Sequence, residues 1–149
     1  MNAKKQLSRT PGAESFTRLI LETFRFNGRL LAAGDRLVKD LGLTSALWQV
    51  LGAIDDAPLP MAQIARNMGL ARQSVRRSVH LLQDRGFICF QDNPNHQRAK
   101  LVMLTPKGRD VLDQVTMRQI EWANTVSGGL NEETLERGVQ LMKTIGERL

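Results

Sequence analysis

Two short helical patterns joined at a glycine constrain the fold of this 149-residue chain more than any other feature. The segment Met61–Met68 predicts a short helix with one apolar face, which Gly69 ends. A second helix is predicted over about residues 71–85, and Gly86 is expected to cap its C-terminus. Two helices joined by a short turn that contains glycine predict a helix-turn-helix.

A β-hairpin is predicted directly after this pair of helices. Phe87–Gln91 is rich in strand-forming side chains, and Lys100–Leu104 is a second such run. Between them, Asp92–Asn95 has the residues that favour turns. Such a hairpin after a helix-turn-helix is called a wing. Thr105 and Pro106 are then expected to start another helix, as N-cap and first helical residue.

Further helices are predicted on both sides of this region. A long helix is expected over residues 14–39 and a second one after Thr44, whereas residues 1–12 contain a Pro-Gly pair and are expected to be a frayed tail. Two more helices follow Thr105, the last capped by Asn131. The predicted fold class is therefore mainly α with a small β-hairpin wing, in a single subunit that spans residues 1–149.

The positive charge of the chain is concentrated in one segment. The net charge is +6, and the segment between Pro60 and Asp110 contains nine basic residues but only three acidic ones. This segment therefore carries the whole excess of positive charge. A concentrated positive field favours a polyanion such as DNA or RNA, although a surface that only improves solubility remains an alternative.

The second helix of the predicted helix-turn-helix has a basic face opposite an apolar one. At about 100° per residue, five of its side chains fall within an arc of about 140°: Arg72, Gln73, Arg76, Arg77 and His80. Val75, Val79 and Leu82 occupy much of the opposite side. The candidate DNA-binding residues of this helix are Arg72, Gln73, Ser74, Arg76, Arg77 and His80. Arginine can pair with guanine and glutamine with adenine in the major groove, while serine can bond a phosphate. The alternative is an amphipathic helix whose polar face is only solvated.

The predicted wing supplies a second set of candidate DNA contacts. Four polar or basic residues lie at its tip or just beyond it: Asn95, His96, Arg98 and Lys100. A loop of this kind can insert an arginine into the minor groove, where the negative potential is concentrated. A solvated hairpin tip is the alternative.

Other functional classes find little support in the sequence. No apolar run approaches the roughly 20 residues of a membrane span, and no signal peptide is evident, so a cytoplasmic protein is expected. No spacing typical of a metal site, phosphate loop or nucleophile–base pair is present, so we expect no enzyme, metal or cofactor. The single cysteine, Cys89, lies in a predicted strand and is interpreted as a small core residue, with a redox switch as the alternative.

Three segments resemble the MarR (multiple antibiotic resistance regulator) family of winged helix-turn-helix regulators. Leu59–Leu70 is similar to the first helix of its helix-turn-helix, Gln73–Ile88 to its recognition helix, and Arg98–Gly108 to its wing strand and the Leu-Thr-x-x-Gly motif that follows. The wing and the start of the first of these helices depart from the family pattern. His96 stands where the family usually has Asp, with Gln97 beside it in place of a common Arg, and Pro60 stands where Ser or Thr often caps the helix.

The resemblance implies a homodimeric repressor that binds palindromic operators in double-stranded DNA and that a small, often aromatic, effector releases. Residues 44–105 would then be the DNA-binding region, and residues 14–42 and 106–149 the dimerisation helices. The long apolar faces of the outer helices independently favour a dimer, with intramolecular packing as a monomer the alternative. A winged-helix module that binds a protein or RNA, without reading duplex DNA, is the competing function.

Four aromatic residues are candidates for the effector pocket. Phe16, Phe24, Phe26 and Trp48 lie on helices that would flank the space between the dimer arms and the DNA-binding region. Plain core packing is the alternative for all four.

Overall fold

Residues 8–149, which the computed structural model describes, form six α-helices, one turn of 3₁₀ helix (Lys39–Leu41) and a small antiparallel sheet. The helices are Pro11–Val38 (α1), Ser45–Ala53 (α2), Met61–Met68 (α3), Arg72–Asp84 (α4), Pro106–Ser127 (α5) and Glu132–Gly146 (α6). The strands are Leu59–Pro60 (β1), Ile88–Gln91 (β2) and Leu101–Leu104 (β3). The chain divides into two units at Asp113, and the winged helix-turn-helix lies wholly in the first.

The helix-turn-helix forms as predicted. Gly69 ends α3 with a φ of 62°, a left-handed conformation that glycine adopts without strain, and Leu70 donates a backbone hydrogen bond of 2.9 Å back to Ala65. On α4, the side chains of Val75, Val79 and Leu82 are completely buried. Full burial of each such side chain contributes about 1.5–3 kcal/mol, so this face determines how α4 is rotated on the domain.

The start of α1 corrects one expectation. Residues 8–10 precede a helix that already begins at Pro11, so the Pro-Gly pair does not end structure there; residues 1–7 of the expected tail lie outside the described residues. The Thr10 hydroxyl accepts a 3.1 Å hydrogen bond from the backbone N–H of Ala13. Proline is favoured as the first helical residue because its fixed φ suits a helix and its missing N–H would have no partner there.

The sheet contains the predicted wing and one additional strand. The hairpin pairs β2 with β3 in antiparallel register, from Ile88 opposite Leu104 to Gln91 opposite Leu101. On the other side of β3, the two-residue strand β1 pairs Leu59 with Val102. A strand of two residues has no detectable alternation, which is why the sequence pattern did not reveal it. Its Pro60 is also the N-cap of α3 and provides no side-chain cap there.

A hydrogen-bonded junction fixes the N-terminus of α5 against the start of the wing. The Thr105 hydroxyl donates to the Gly86 carbonyl at 2.6 Å and accepts from the Gly108 N–H at 3.0 Å, as the predicted N-cap should. The Thr105 N–H donates to the Phe87 carbonyl at 3.1 Å. A Cβ atom at buried Gly108 would overlap that same carbonyl oxygen. The Thr-x-x-Gly motif is therefore a docking motif in which only glycine fits the last position.

Helix α2 is attached to α1 through a buried serine. Ser45 is 6% exposed, and its hydroxyl donates to the Leu31 carbonyl of α1 at 2.7 Å. Its backbone N–H donates to the Asp35 carboxylate, also at 2.7 Å. The predicted cap is present beside it, because Thr44 accepts from the Leu47 N–H. These bonds satisfy a buried hydroxyl that would otherwise cost about 1–3 kcal/mol.

We predict that Gly108→Ala lowers the free energy of unfolding by about 1–3 kcal/mol or more, because the new methyl group overlaps the Phe87 carbonyl. Gly52→Ala in α2 is the matched control. A Cβ at Gly52 meets nothing within 4 Å, so the helix should gain about 0.5–1 kcal/mol. Urea unfolding of both variants checks the pair, and equal stabilities would contradict the docking role of Gly108.

Candidate nucleic-acid interface

The polar face of α4 lies on the surface of the first unit. Five of its six candidate residues are exposed: Arg72, Gln73, Arg76, Arg77 and His80. Ser74, the sixth, is half-buried near the start of the helix. The three arginines fall within the arc of about 140° that their spacing predicted, with Arg77 opposite the buried valines and Arg72 at the edge of the arc nearest Val79. The helix therefore presents three cations and an amide together.

The guanidinium groups of this face have no hydrogen-bond or ion-pair partner among residues 8–149. Arg72, Arg76 and Arg77 make no hydrogen bond and no ion pair with any residue between 8 and 149. An exposed, unpaired guanidinium keeps all five of its N–H donors available to a ligand. Three such groups on one helix face favour an anionic ligand.

His80 connects this face to the wing. Its ring centroid lies 6.4 Å from that of Phe90 on β2, with the two planes inclined by 59°. This distance and tilt are within the favourable range for aromatic pairs. The imidazole therefore lies where the recognition face meets the base of the hairpin.

The tip of the wing, residues 92–100, contains two successive turns. The Asn93 carbonyl accepts from the His96 N–H at 3.2 Å, and the His96 carbonyl accepts from the Ala99 N–H at 3.2 Å. The four candidate residues of the wing are exposed: Asn95, His96, Arg98 and Lys100. The Arg98 and Lys100 side chains make no hydrogen bond or ion pair with other residues of the described chain. The wing thus adds two unpaired cations to those of α4.

The remaining basic residues of the central segment have partners inside the protein. Arg109 pairs with the Asp55 carboxylate and donates to the Asp55 carbonyl at 2.8 Å. Arg85 donates to the Gly42 carbonyl, and the Lys107 ammonium donates to the Arg85 carbonyl at 2.8 Å while lying 4.9 Å from the centre of the Phe87 ring. The guanidinium of Arg66 donates to the Gln63 side chain at 2.5 Å.

These pairings reduce the nine basic residues of the segment to five with no partner among residues 8–149. The five are Arg72, Arg76, Arg77, Arg98 and Lys100. Counting charges along the sequence could not separate the two groups, because it assigns the same +1 to a cation that caps a helix and to one that faces solvent.

The four aromatic candidates for an effector pocket are spread over α1 and α2. The phenylalanines are exposed, from 38% for Phe16 to 70% for Phe24, and Trp48 is half-buried on α2. Phe24 and Phe26 are about 200° apart around α1 and therefore face in nearly opposite directions. A groove of the first unit lies elsewhere, between the end of α2 and the start of α5, where the Asp55–Arg109 pair forms part of its wall.

The cysteine of the chain, Cys89, lies in the hairpin of the wing. The Cys89 thiol is unoxidised and half-buried on β2, opposite Met103 on β3. In the described part of the chain, no three His, Cys, Asp or Glu side chains lie together as a metal site would require. No helix there is long and apolar enough to cross a bilayer.

Comparison with known proteins identifies the relatives of this chain. Residues 41–99 match the family model described as MarR family. The uncharacterised protein Rv2011c of Mycobacterium tuberculosis is 32% identical over 124 residues, which are 83% of this chain and 87% of that protein.

Two solved structures share the fold. The transcriptional regulator MosR of M. tuberculosis, in complex with DNA, superposes with a TM-score of 0.73 at 22% identity, over 87% of this chain and 96% of the other. BpsR of Bordetella bronchiseptica, whose DNA binding is regulated by 6-hydroxynicotinic acid, superposes with a TM-score of 0.75 at 23% identity, over 87% of this chain and 98% of the other. The predicted fold class, mainly α with a winged helix-turn-helix, is confirmed.

The division of the cations predicts their separate effects on nucleic-acid binding. Lys100→Ala should weaken binding to all sequences and lower the slope of log K against log salt by about one unit for each subunit bound, since a phosphate contact releases counterions. Lys107→Met is the matched control, because it also removes one charge but from a cation held by the Arg85 carbonyl. Binding titrations at several salt concentrations measure the slope for each variant. If Lys100→Ala and Lys107→Met lower the slope equally, the division into paired and unpaired cations does not predict which of them bind nucleic acid.

Proposed function

Because this chain belongs to the MarR family and has the winged helix-turn-helix fold of a DNA-binding regulator, we propose that it is a homodimeric repressor. In this proposal, the dimer binds palindromic operators in double-stranded DNA, and a small molecule releases it. The single observation that carries the proposal is the face of α4, where three unpaired arginines and Gln73 are exposed opposite a completely buried apolar face.

This face has the chemistry that reading the major groove requires. An arginine can bond guanine O6 and N7 with two N–H groups, and a glutamine can bond adenine N6 and N7. We assign base contacts to Gln73, Arg76 and Arg77. Arg72 and Ser74, near the N-terminus of the helix, are assigned to phosphates, where the free N–H groups of the first turn support them. His80 lies at the other end, beside the wing.

The wing is proposed to contact the minor groove and the backbone beside it. Arg98 and Lys100 are its unpaired cations, and Asn95 and His96 are exposed at the same tip. A narrow minor groove concentrates negative potential and attracts an inserted arginine. If all five of these cations met phosphates in each of two copies, together they would contribute about nine to the salt slope of the dimer.

A second copy of the chain is proposed to cover the exposed apolar side chains of the outer helices. Only Gly34 and Val38 are buried among the 28 residues of α1. Its exposed large apolar side chains are Phe16, Ile20, Leu21, Phe24, Phe26 and Leu30. Helix α6 exposes Leu135, Val139, Leu141 and Met142. Apolar surface of this extent favours an interface, and a two-fold axis would place two copies of α4 one helical turn of DNA apart.

Release by a small molecule is proposed from the BpsR comparison and from the aromatic side chains of α1 and α2. In such a dimer, the spacing between the two DNA-binding regions either fits successive major grooves or does not. A ligand lowers DNA affinity only if it binds more tightly to the conformation with the unsuitable spacing. Phe16, Phe24, Phe26 and Trp48 are our candidates for contacts with an aromatic ligand, because planar apolar surface suits aromatic rings. Phe24 and Phe26 face opposite sides of α1 and cannot line one pocket of a single chain together.

Selection of bound sequences from a random pool of duplex DNA tests the proposed function directly. We expect a palindrome with half-sites about 10 base pairs apart, because two related helices would enter successive major grooves. Enrichment of non-palindromic sites would refute the dimeric reading. Failure to enrich any duplex, together with binding to single-stranded RNA or to a protein, would favour the alternative winged-helix function.

We predict that Arg76→Ala or Arg77→Ala weakens binding to the selected operator by about 1–3 kcal/mol and relaxes base preference at one position of each half-site. Arg137→Ala is the matched control, since it removes the same charge from α6, where Arg137 pairs with Glu133 four residues earlier. Fluorescence anisotropy on operators with single base changes measures both effects. Full affinity and unchanged base preference in the Arg76/Arg77 double variant would remove the major-groove assignment.

We predict that Phe24→Asp raises the dimer dissociation constant at least about tenfold, because a carboxylate would be buried in an apolar interface without a partner. Phe24 is 70% exposed in the single chain, so the substitution should leave the folded subunit intact. Arg29→Glu, about 140° away on the same helix, is the control that changes charge on the polar face. Sedimentation equilibrium measures the constants, and a Phe24→Asp protein that dimerises normally would exclude this interface.

A further inference from the structure

The Asn93 side chain bridges the tip of the wing with two hydrogen bonds. Its amide N–H donates to the Ala99 carbonyl at 3.0 Å, across the whole loop. Its amide oxygen accepts from the Asn95 N–H at 3.0 Å on the near side of the loop. Asn93 is half-buried, unlike the exposed candidate residues of the wing. Sequence reasoning included Asn93 only as a residue that favours a turn.

Ala99, which accepts the hydrogen bond from the Asn93 amide, also takes part in the backbone hydrogen bonds of the loop. Ala99 donates its N–H to the His96 carbonyl and accepts the Asn93 amide at its own carbonyl. Both polar groups of the Ala99 backbone are therefore engaged. Ala99 lies between Arg98 and Lys100, so fixing its backbone fixes where the two cationic side chains begin.

The arrangement explains why asparagine stands at this position. An amide offers a donor and an acceptor at once, whereas a carboxylate only accepts and an aliphatic side chain does neither. A rotated amide would face the Asn95 N–H with its NH₂ group and the Ala99 carbonyl with its oxygen, and would lose both bonds. Neither of the two Asn93 side-chain bonds involves the His96 side chain.

We infer that Asn93 is the positioning residue of the wing, which places Arg98 and Lys100 for their contacts with DNA. The inference rests on the proposed function, because it assumes that these two cations meet the nucleic acid. The chain beyond Asn93 spans seven residues before β3 begins at Leu101. Without the cross-loop bond these residues sample many conformations, and binding has to order them, which weakens affinity.

A thermodynamic cycle tests the inference. Asn93→Ala should weaken binding to the selected operator by roughly threefold or more, since hydrogen bonds to a charged group are lost when the cations are misplaced. Asn93→Asp, which keeps the acceptor but cannot donate to Ala99, should also weaken binding. In an Arg98→Ala/Lys100→Ala background, Asn93→Ala should cause no further loss, because its effect passes through those side chains. Gln97→Ala, exposed in the same loop, is the control and should bind nearly as the parent does.

Amide hydrogen exchange of the free protein provides a measurement that does not depend on DNA. Exchange at the Ala99 and His96 amides should be faster in Asn93→Ala, while the melting temperature stays close to that of the parent. Unchanged exchange at these two amides would overturn the inference. It would also be overturned if Asn93→Ala bound the operator with full affinity, or if it lowered affinity equally in the parent and in the Arg98→Ala/Lys100→Ala protein.

The DNA affinity of the Arg98→Ala/Lys100→Ala protein distinguishes failure of the Asn93 inference from failure of the proposed contact between the wing and DNA. An Arg98→Ala/Lys100→Ala protein with unchanged affinity and salt slope would refute the wing contact itself, and the inference with it. If Arg98→Ala/Lys100→Ala lowers affinity for the operator but Asn93→Ala does not, only the role of Asn93 is refuted.

Discussion

The buried apolar face of α4 is the contact on which the rest of the site depends. Val75, Val79 and Leu82 are completely buried, so the helix cannot rotate without exposing them. Their position holds Arg76 and Arg77 on the outside without any hydrogen bond to the guanidinium groups. The same packing that stabilises the domain thus orients the proposed reading face, and rigid support of this kind is what base contacts of fixed geometry require.

The cations around this helix fall into two groups according to their partners. Arg85, Lys107 and Arg109 connect the ends of elements, mostly through backbone carbonyls. Lys107 joins the start of α5 to the end of α4, and Arg109 joins α5 to the end of α2. The arginines of α4 and the cations of the wing have no such partners in the part of the chain that the structure describes. The positive charge of the segment therefore serves both the fold and the proposed interface, and its total overstates what is available to a ligand.

Local patterns predicted most of the elements because their signals are local. Glycines end α3 and α4, Thr44 and Thr105 cap the helices that follow them, and the hairpin has its turn residues between two strand-forming runs. The predicted start of α1 was wrong because a Pro-Gly pair is ambiguous. It can interrupt a helix, or, after a capping residue such as Thr10, it can begin one. The strand β1 was missed because Leu59 and Pro60 pair with residues more than 40 positions away.

The sequence by itself determined the order of the helices, the winged helix-turn-helix and the face of α4 that carries the arginines. These follow from periodicity and from capping, which act over a few residues. Only the tertiary structure decided which cations are engaged, that Gly108 meets the Phe87 carbonyl, and that Asn93 reaches Ala99 across the wing. The physical reason is that a hydrogen bond or a steric contact depends on distances between atoms, which chain folding sets and residue spacing does not.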